Sequence, residues 1–170
     1  MHAQPIHTHA SCVRSAGPVA RAEPPAVRAR LAARAEKPAA DAGRPTVLLA
    51  DGGTDVHAIF GAVLEREGYR VIHAFTPAEC LHLAHVHPVG AALVSVGWCG
   101  LLTWRRLHDL AAEAAAGGFA IVCLTTDPRL DPDTRRVPPG TASVLTLPCT
   151  PEALAAEVRR AVGVRTGQPN

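Results

Sequence analysis

TVLLADGGTDVHAIFGAVLEREGYRVIHA, residues 46–74, is the stretch whose reading decides the fold. Its opening Thr46–Ala50 is a short apolar run that breaks at Asp51-Gly52-Gly53, the pattern of a buried strand entering a turn. Asp55 then opens a helical pattern that places Ile59, Val63 and Leu64 on one face and stops at Gly68. Tyr69–Ala74 reads as a second strand, so one strand–helix–strand unit is complete by Ala74.

The same alternation continues toward the C-terminus. Pro77 starts a helix whose inner face carries Cys80, Leu81 and Ala84 and which ends before Pro88. Ala91–Val96 (AALVSV) is a continuous apolar run, as expected of a central parallel strand buried on both faces. Leu101–Ala116 reads as a helix with Leu107 and Leu110 inward, closed by Gly117-Gly118. Phe119–Thr125 and Ser143–Leu147 are the fourth and fifth strands, and Pro151–Val162 is a final amphipathic helix. The expected fold class is α/β, a flavodoxin-like doubly wound sheet of five parallel strands over residues 46–163. Between the last two strands, TTDPRLDPDTRRVPPG contains Pro128, Pro132, Pro138 and Pro139. A proline inside a helix costs about 3 kcal/mol, so the helix there is expected to be lost or shortened to a turn after Asp131.

Outward in the other direction, residues 1–45 are of a different kind. Arg14, Arg21, Arg28, Arg30, Arg34, Lys37 and Arg44 stand against Glu23, Glu36 and Asp41, a balance of +4, while the rest of the chain carries −2 of the total +2. This Ala/Pro/Arg-rich tail has too few large hydrophobes to offset the entropy of ordering, so it is expected to be disordered, as are residues 164–170. Its Arg-rich, acid-poor makeup also suits a targeting segment, but it lacks the apolar stretch of a secretory signal. No apolar run approaches the roughly 18 residues of a membrane span, and a net charge of +2 is too small to mark a nucleic-acid binder. Five cysteines at irregular spacing without a CxxC argue against structural zinc and for reduced thiols in a cytoplasmic protein.

Three stretches carry a family resemblance. VLLADGGTDVHAIFGAVLEREGYRV, HPVGAALVSVGWCG and GTASVLTLPCTPEALAAEVRRAV resemble, at matching spacing, the first, third and last units of response-regulator receiver domains. The resemblance implies a phosphorelay module of two-component signalling, in which a partner kinase passes a phosphoryl group to an Asp at the end of the third strand. A divalent ion held by clustered acids, a Thr or Ser and a Lys would serve that transfer. Asp51 stands where the first acid belongs and Thr125 where the hydroxyl belongs. Gly52 replaces the second acid, Ser95 occupies the phospho-acceptor position, and Leu147 replaces the Lys before Pro148, whose peptide bond the family makes cis. Val144 holds the position of the family's aromatic switch residue. With three of four charged groups gone, the resemblance is to a degenerate pseudo-receiver. No catalytic residue, metal or cofactor is expected, and Asp51 and Thr125 are read as a turn former and a strand-end hydroxyl. The expected partner is a protein: a kinase, a regulator, another receiver, or a second copy in a homodimer. No DNA-binding segment is expected after the last helix.

A second reading competes. Asp55-Val56-His57 followed by Gly61 is similar to the DxHxxG loop of cobalamin-binding domains, with His57 as cobalt ligand and Ser95 at a strand end, although the Gly falls one position late. That reading predicts cobalamin or another small ligand at a rim formed by His57, Trp98, Cys99 and Cys149, where such sheets bind ligands. Trp98 and Trp104 are candidate partner anchors. His73, His82, His85 and His87 cluster around the second strand and helix and are expected on a solvated face, His82 and His85 sharing one side of the helix. A remnant phospho-acceptor role for Ser95 is a third reading.

Overall fold

The structure is a computed structural model and describes residues 43–96, 101–130, 137 and 140–166, with only the backbone course given for 101–106 and 164–166. The elements are β1 (Thr46–Ala50), α1 (Thr54–Arg66), β2 (Arg70–Ala74), α2 (Pro77–Val86), β3 (Val89–Ser95), α3 (Leu101–Gly117), β4 (Ala120–Thr125), β5 (Thr141–Thr146) and α4 (Pro151–Thr166). All strand pairs are parallel, in the order β2-β1-β3-β4-β5, which places β1, β3 and β4 centrally. The expected α/β doubly wound sheet is therefore the observed one. Among the described residues no helix stands between β4 and β5, where Asp127–Leu130 form a turn closed by the Leu130 N–H on the Asp127 carbonyl. The expectations for residues 1–42, Trp98, Cys99, the Trp104 side chain and 131–136 lie outside the described residues. No helix among those described is long and apolar enough to cross a membrane.

Local chemistry sets the helix ends. Gly68 sits at φ +91°, its N–H donating to the Glu65 carbonyl and the Tyr69 N–H to the Leu64 carbonyl, which caps the last turn of α1. Thr76 and Glu79 form a reciprocal capping box at the start of α2, with Pro77 in the first turn. Thr150 Oγ1 accepts from the Ala153 N–H to start α4.

Alternating side chains along the strands divide the core between the two faces of the sheet. Leu48, Ala50, Ile72, Ala92, Val94, Ile121 and Cys123 pack with Cys80, Ala84, Leu107 and Leu110 of α2 and α3. Val47, Leu49, Val71, Leu93, Val122 and Leu124 pack with Leu64 of α1 and Leu154 and Val158 of α4. The expected inner faces of α2 and α3 are thus the observed ones, with Leu81 half-buried at the border. α1 is different. Its buried residues are Thr54, His57, Gly61 and Leu64, whereas Ile59 is 60% exposed. The apolar triad Ile59, Val63 and Leu64 does not share one inward face, because the sheet takes a stripe one step round the helix that contains a histidine and a glycine. His73 is likewise buried rather than solvated: it follows Val71 on the inward alternation of β2. His82 and His85 are exposed as expected, and His85 Nδ1 lies 3.5 Å from Glu113 Oε2 on α3.

Candidate functional site

The carboxyl ends of β1, β3, β4 and β5 form one rim, the edge at which open α/β sheets bind ligands. Register brings the expected site positions to it. Ala50 pairs with Val94, so Asp51 and Ser95 lie on the next step of neighbouring strands; Ser95 pairs with Leu124, so Thr125 follows directly. Leu147 comes after β5, and its N–H donates to the Thr125 carbonyl at 2.6 Å.

At this rim the polar atoms are turned onto the backbone. Half-buried Asp51 accepts the Gly53 N–H on Oδ1 at 2.6 Å, and its own N–H donates to the Ala74 carbonyl at 3.1 Å. Its carboxylate therefore shapes the turn into α1, whose first residue has no side-chain cap. Gly52 supplies no acid. Buried Thr125 accepts the Asp127 N–H on Oγ1 at 3.0 Å, which starts the turn after β4. Ser95 is buried, and its Oγ has no hydrogen-bond partner among the described residues. Leu147, ahead of a cis peptide to Pro148, packs against the apolar cluster that also holds Leu49, Leu93 and Leu124. Half-buried Val144 packs on the opposite face.

His57 is not a rim group. It is 1% exposed, and both ring nitrogens have close partners: Nε2 lies 2.8 Å from the Asp51 carbonyl oxygen and Nδ1 lies 2.9 Å from His73 Nδ1. The Phe75 ring packs on it with centroids 4.1 Å apart. A cobalt ion bound at either nitrogen would have to break one of these contacts. Gly61 makes the arrangement possible, because a Cβ there would lie 3.1 Å from His73 Cε1. The sequence reading treated His57 and His73 separately; the signal it passed over is their joint placement, inward on a helix stripe and inward on a strand.

The three described cysteines, Cys80, Cys123 and Cys149, are free thiols. Burial pushes Cys80 up to about 12 and Cys123 to about 11, and it raises half-buried Cys149 as well. Thiols held protonated in this way are poor nucleophiles and poor metal ligands. Among the described residues, no group of three or more His, Cys, Asp or Glu side chains converges as a metal site would require.

With this geometry established, comparison with known proteins is informative about the fold. No family model matches the chain, and no curated protein matches its sequence. Solved structures do match. A CheY-like response-regulator receiver domain from Methanospirillum hungatei JF-1 superposes with a TM-score of 0.63 at 18% identity, over 73% of this chain and 98% of that one. The chain has the receiver fold. The signal receiver domain of an HD-domain-containing protein from Pseudomonas fluorescens Pf-5 gives a TM-score of 0.64 at 18% identity, covering 74% and 99% of the two chains. The receiver domain of a sensor histidine kinase from Pseudomonas aeruginosa PAO1 gives 0.61 at 19% identity, covering 71% and 99%; it carries a magnesium ion coordinated in its active-site cleft. The receiver-like domain described here shares their fold over nearly the whole length of each of those chains.

Proposed function

We propose that this receiver-like domain is a non-catalytic signalling module, a pseudo-receiver that acts through protein–protein contacts and accepts no phosphoryl group by the usual Asp route. The observation that carries this reading is the state of the rim. The one remaining carboxylate, Asp51, is committed to the Gly53 N–H, and the one remaining hydroxyl of the family set, Thr125, to the Asp127 N–H. Magnesium is bound through oxygen ligands that include carboxylates. With Gly52 and Ser95 in place of two acids, the donor set does not fit it. Phosphoryl transfer is driven by positive charge placed on the transferring group, and Leu147 offers an apolar side chain where that charge would stand. A partner kinase, regulator or second receiver would be engaged by shape and surface, with no cofactor and no reaction at the rim.

The experiment is incubation of the full chain with acetyl phosphate and magnesium, read by intact mass and by amide NMR. The expected result is an unchanged mass and unchanged signals for Asp51, Ser95 and Thr125. A stoichiometric phosphoryl adduct overturns the proposal.

A further inference from the structure

His57 and His73 lie one strand away from this rim, and no receiver-type chemistry uses them. His57 comes from the first turn of α1, and His73 from β2 at the edge of the sheet. Their Nδ1 atoms are 2.9 Å apart, and both rings are more than nine-tenths buried.

Elementary hydrogen-bond chemistry fixes the protons. The Asp51 carbonyl can only accept, so His57 Nε2 must carry a hydrogen and donate it. In a neutral imidazole the other nitrogen is then a lone pair, so His57 Nδ1 accepts, and the donor across the 2.9 Å contact is His73 Nδ1–H. This is the one neutral arrangement that makes both contacts hydrogen bonds. One further proton can be accommodated: a singly charged pair still has one N–H and one lone pair at the central contact. A second cannot, because two Nδ1–H groups would then point at each other. A metal fits no better. Zinc–nitrogen bonds of about 2.0–2.1 Å in tetrahedral geometry need the two nitrogens about 3.3 Å apart, and Gly61 and Phe75 close the rings in from two sides.

We propose that His57 and His73 form a single buried proton-binding unit that latches the first turn of α1, and with it the Asp51 turn, to β2, and that a second proton opens the latch. The unit holds while it carries at most one charge. Among the described residues, the ionisable groups on the elements that carry or adjoin the unit include Asp51 after β1, with its carboxylate on Gly53; exposed Asp55 and half-buried Glu65 on α1; Arg70 at the far end of β2; and Glu79 of α2, which holds the Phe75 N–H at 2.7 Å. The rim turn is tied to the unit through the Asp51 carbonyl, so proton uptake reaches the strand end at which a receiver would hold its divalent ion. The inference is independent of the pseudo-receiver reading and stands or falls on the imidazoles alone.

The sign follows from proton counts. In acid the unfolded chain binds two protons on these residues and the latched fold at most one. Stability is therefore present above the ordinary imidazole range near 6.5 and is lost as pH falls through it, by about tenfold in the unfolding constant per pH unit where the latch keeps one charge and by up to about a hundredfold where it keeps none. The test uses the full chain with His87→Gln, because burial and the Arg70 and His82 charges lower the His87 pKa and add to the same trend. Long-range ¹H–¹⁵N imidazole NMR at pH 7.5 should find hydrogens on His57 Nε2 and His73 Nδ1, and the Asp51 and Gly53 amides should move with these rings as pH is lowered to 5. Urea unfolding across the same range should show a slope that reaches at least about tenfold per pH unit below the imidazole range. His73→Asn should abolish it, since an amide can donate to a neutral His57 or turn over and accept from a charged one. A hydrogen on neither Nδ1 atom, or on both, in the folded chain overturns the proposal whether or not the variant folds, as does a slope that survives His73→Asn.

Discussion

Replacing Gly61 by Ala opposes two effects of known size. Gly61 lies inside α1, and at an unobstructed helical position Ala is worth about 0.8–1.0 kcal/mol over Gly. Here the new methyl would stand 3.1 Å from His73 Cε1. His73 cannot readily give way, because it is buried on the edge strand and held at Nδ1 by His57. Overpacking a closed core costs about 1–3 kcal/mol. The expected net result of Gly61→Ala is a loss of up to about 2 kcal/mol, against the gain that propensity alone predicts. In a His73→Ala background the obstacle is gone and the same change should stabilise by about 1 kcal/mol. The cycle therefore gives a coupling of about 1–3 kcal/mol between residues on different elements. Urea unfolding followed by circular dichroism measures all four corners, and comparable m-values establish that the variants share one fold. Stabilisation of about 1 kcal/mol in both backgrounds would refute the reasoning, since it would mean that His73 does not lie against Gly61.

Other substitutions probe the rest of the framework. Leu64→Ala, at a fully buried position, should cost about 2–5 kcal/mol, while Ile59→Ala, 60% exposed one step round the same helix, should stay within about 0.5 kcal/mol in the same urea assay. Thr76→Ala removes the acceptor for the Glu79 N–H and should cost about 1 kcal/mol, with amide exchange quickening first at the start of α2. The thiols of Cys80 and Cys123, raised by burial to about 12 and about 11, remain protonated in the fold where the unfolded chain has lost its protons. Stability should accordingly fall as pH rises from about 9 toward those values, and both thiols should react with iodoacetamide at pH 8 only after unfolding.

Fold and site differ in how far the sequence reveals them. Strands were legible because parallel strands buried on both faces need continuous apolar runs, and AALVSV of β3 can be little else. Helix ends were legible where Gly68 and Pro77 enforce them. The inner face of α1 was not, because an apolar count selects Ile59 and passes over His57 and Gly61. A histidine reads as polar until both its nitrogens are seen to be satisfied, and a glycine reads as a weak helix former until the ring it admits is seen. One pattern does contain the answer: His57, Gly61 and Leu64 are spaced as one helix stripe, and Val71, His73 and Phe75 as one strand face. The resemblance to receivers is what brought Asp51, Ser95, Thr125 and Leu147 together as one set, and the backbone partners of Asp51 and Thr125 depend on turn geometry that no resemblance specifies.

The changes at the rim also compensate one another electrostatically. Carboxylates gathered at one strand end disfavour each other's ionisation and need a cation to hold them. A buried ammonium needs an anion in turn, and removing only one partner leaves a charge whose burial costs several kcal/mol or more. In this chain the change runs through the set together: Gly52 and Ser95 in place of acids, and Leu147 in place of a base. Of what remains, Asp51 and Thr125 are satisfied by the Gly53 and Asp127 N–H groups and Leu147 by apolar packing, while the buried Ser95 Oγ has no partner among the described residues. On the proposed reading, such a rim offers a metal no second carboxylate and a phosphoryl group no base at position 147. Of the buried side chains described, His57 and His73 are the imidazoles, the side-chain type whose ordinary titration falls between pH 5 and 8. They are joined to the same turn by the Asp51 carbonyl. If the rim of this receiver fold responds to any small charged species, the chemistry left in it selects the proton.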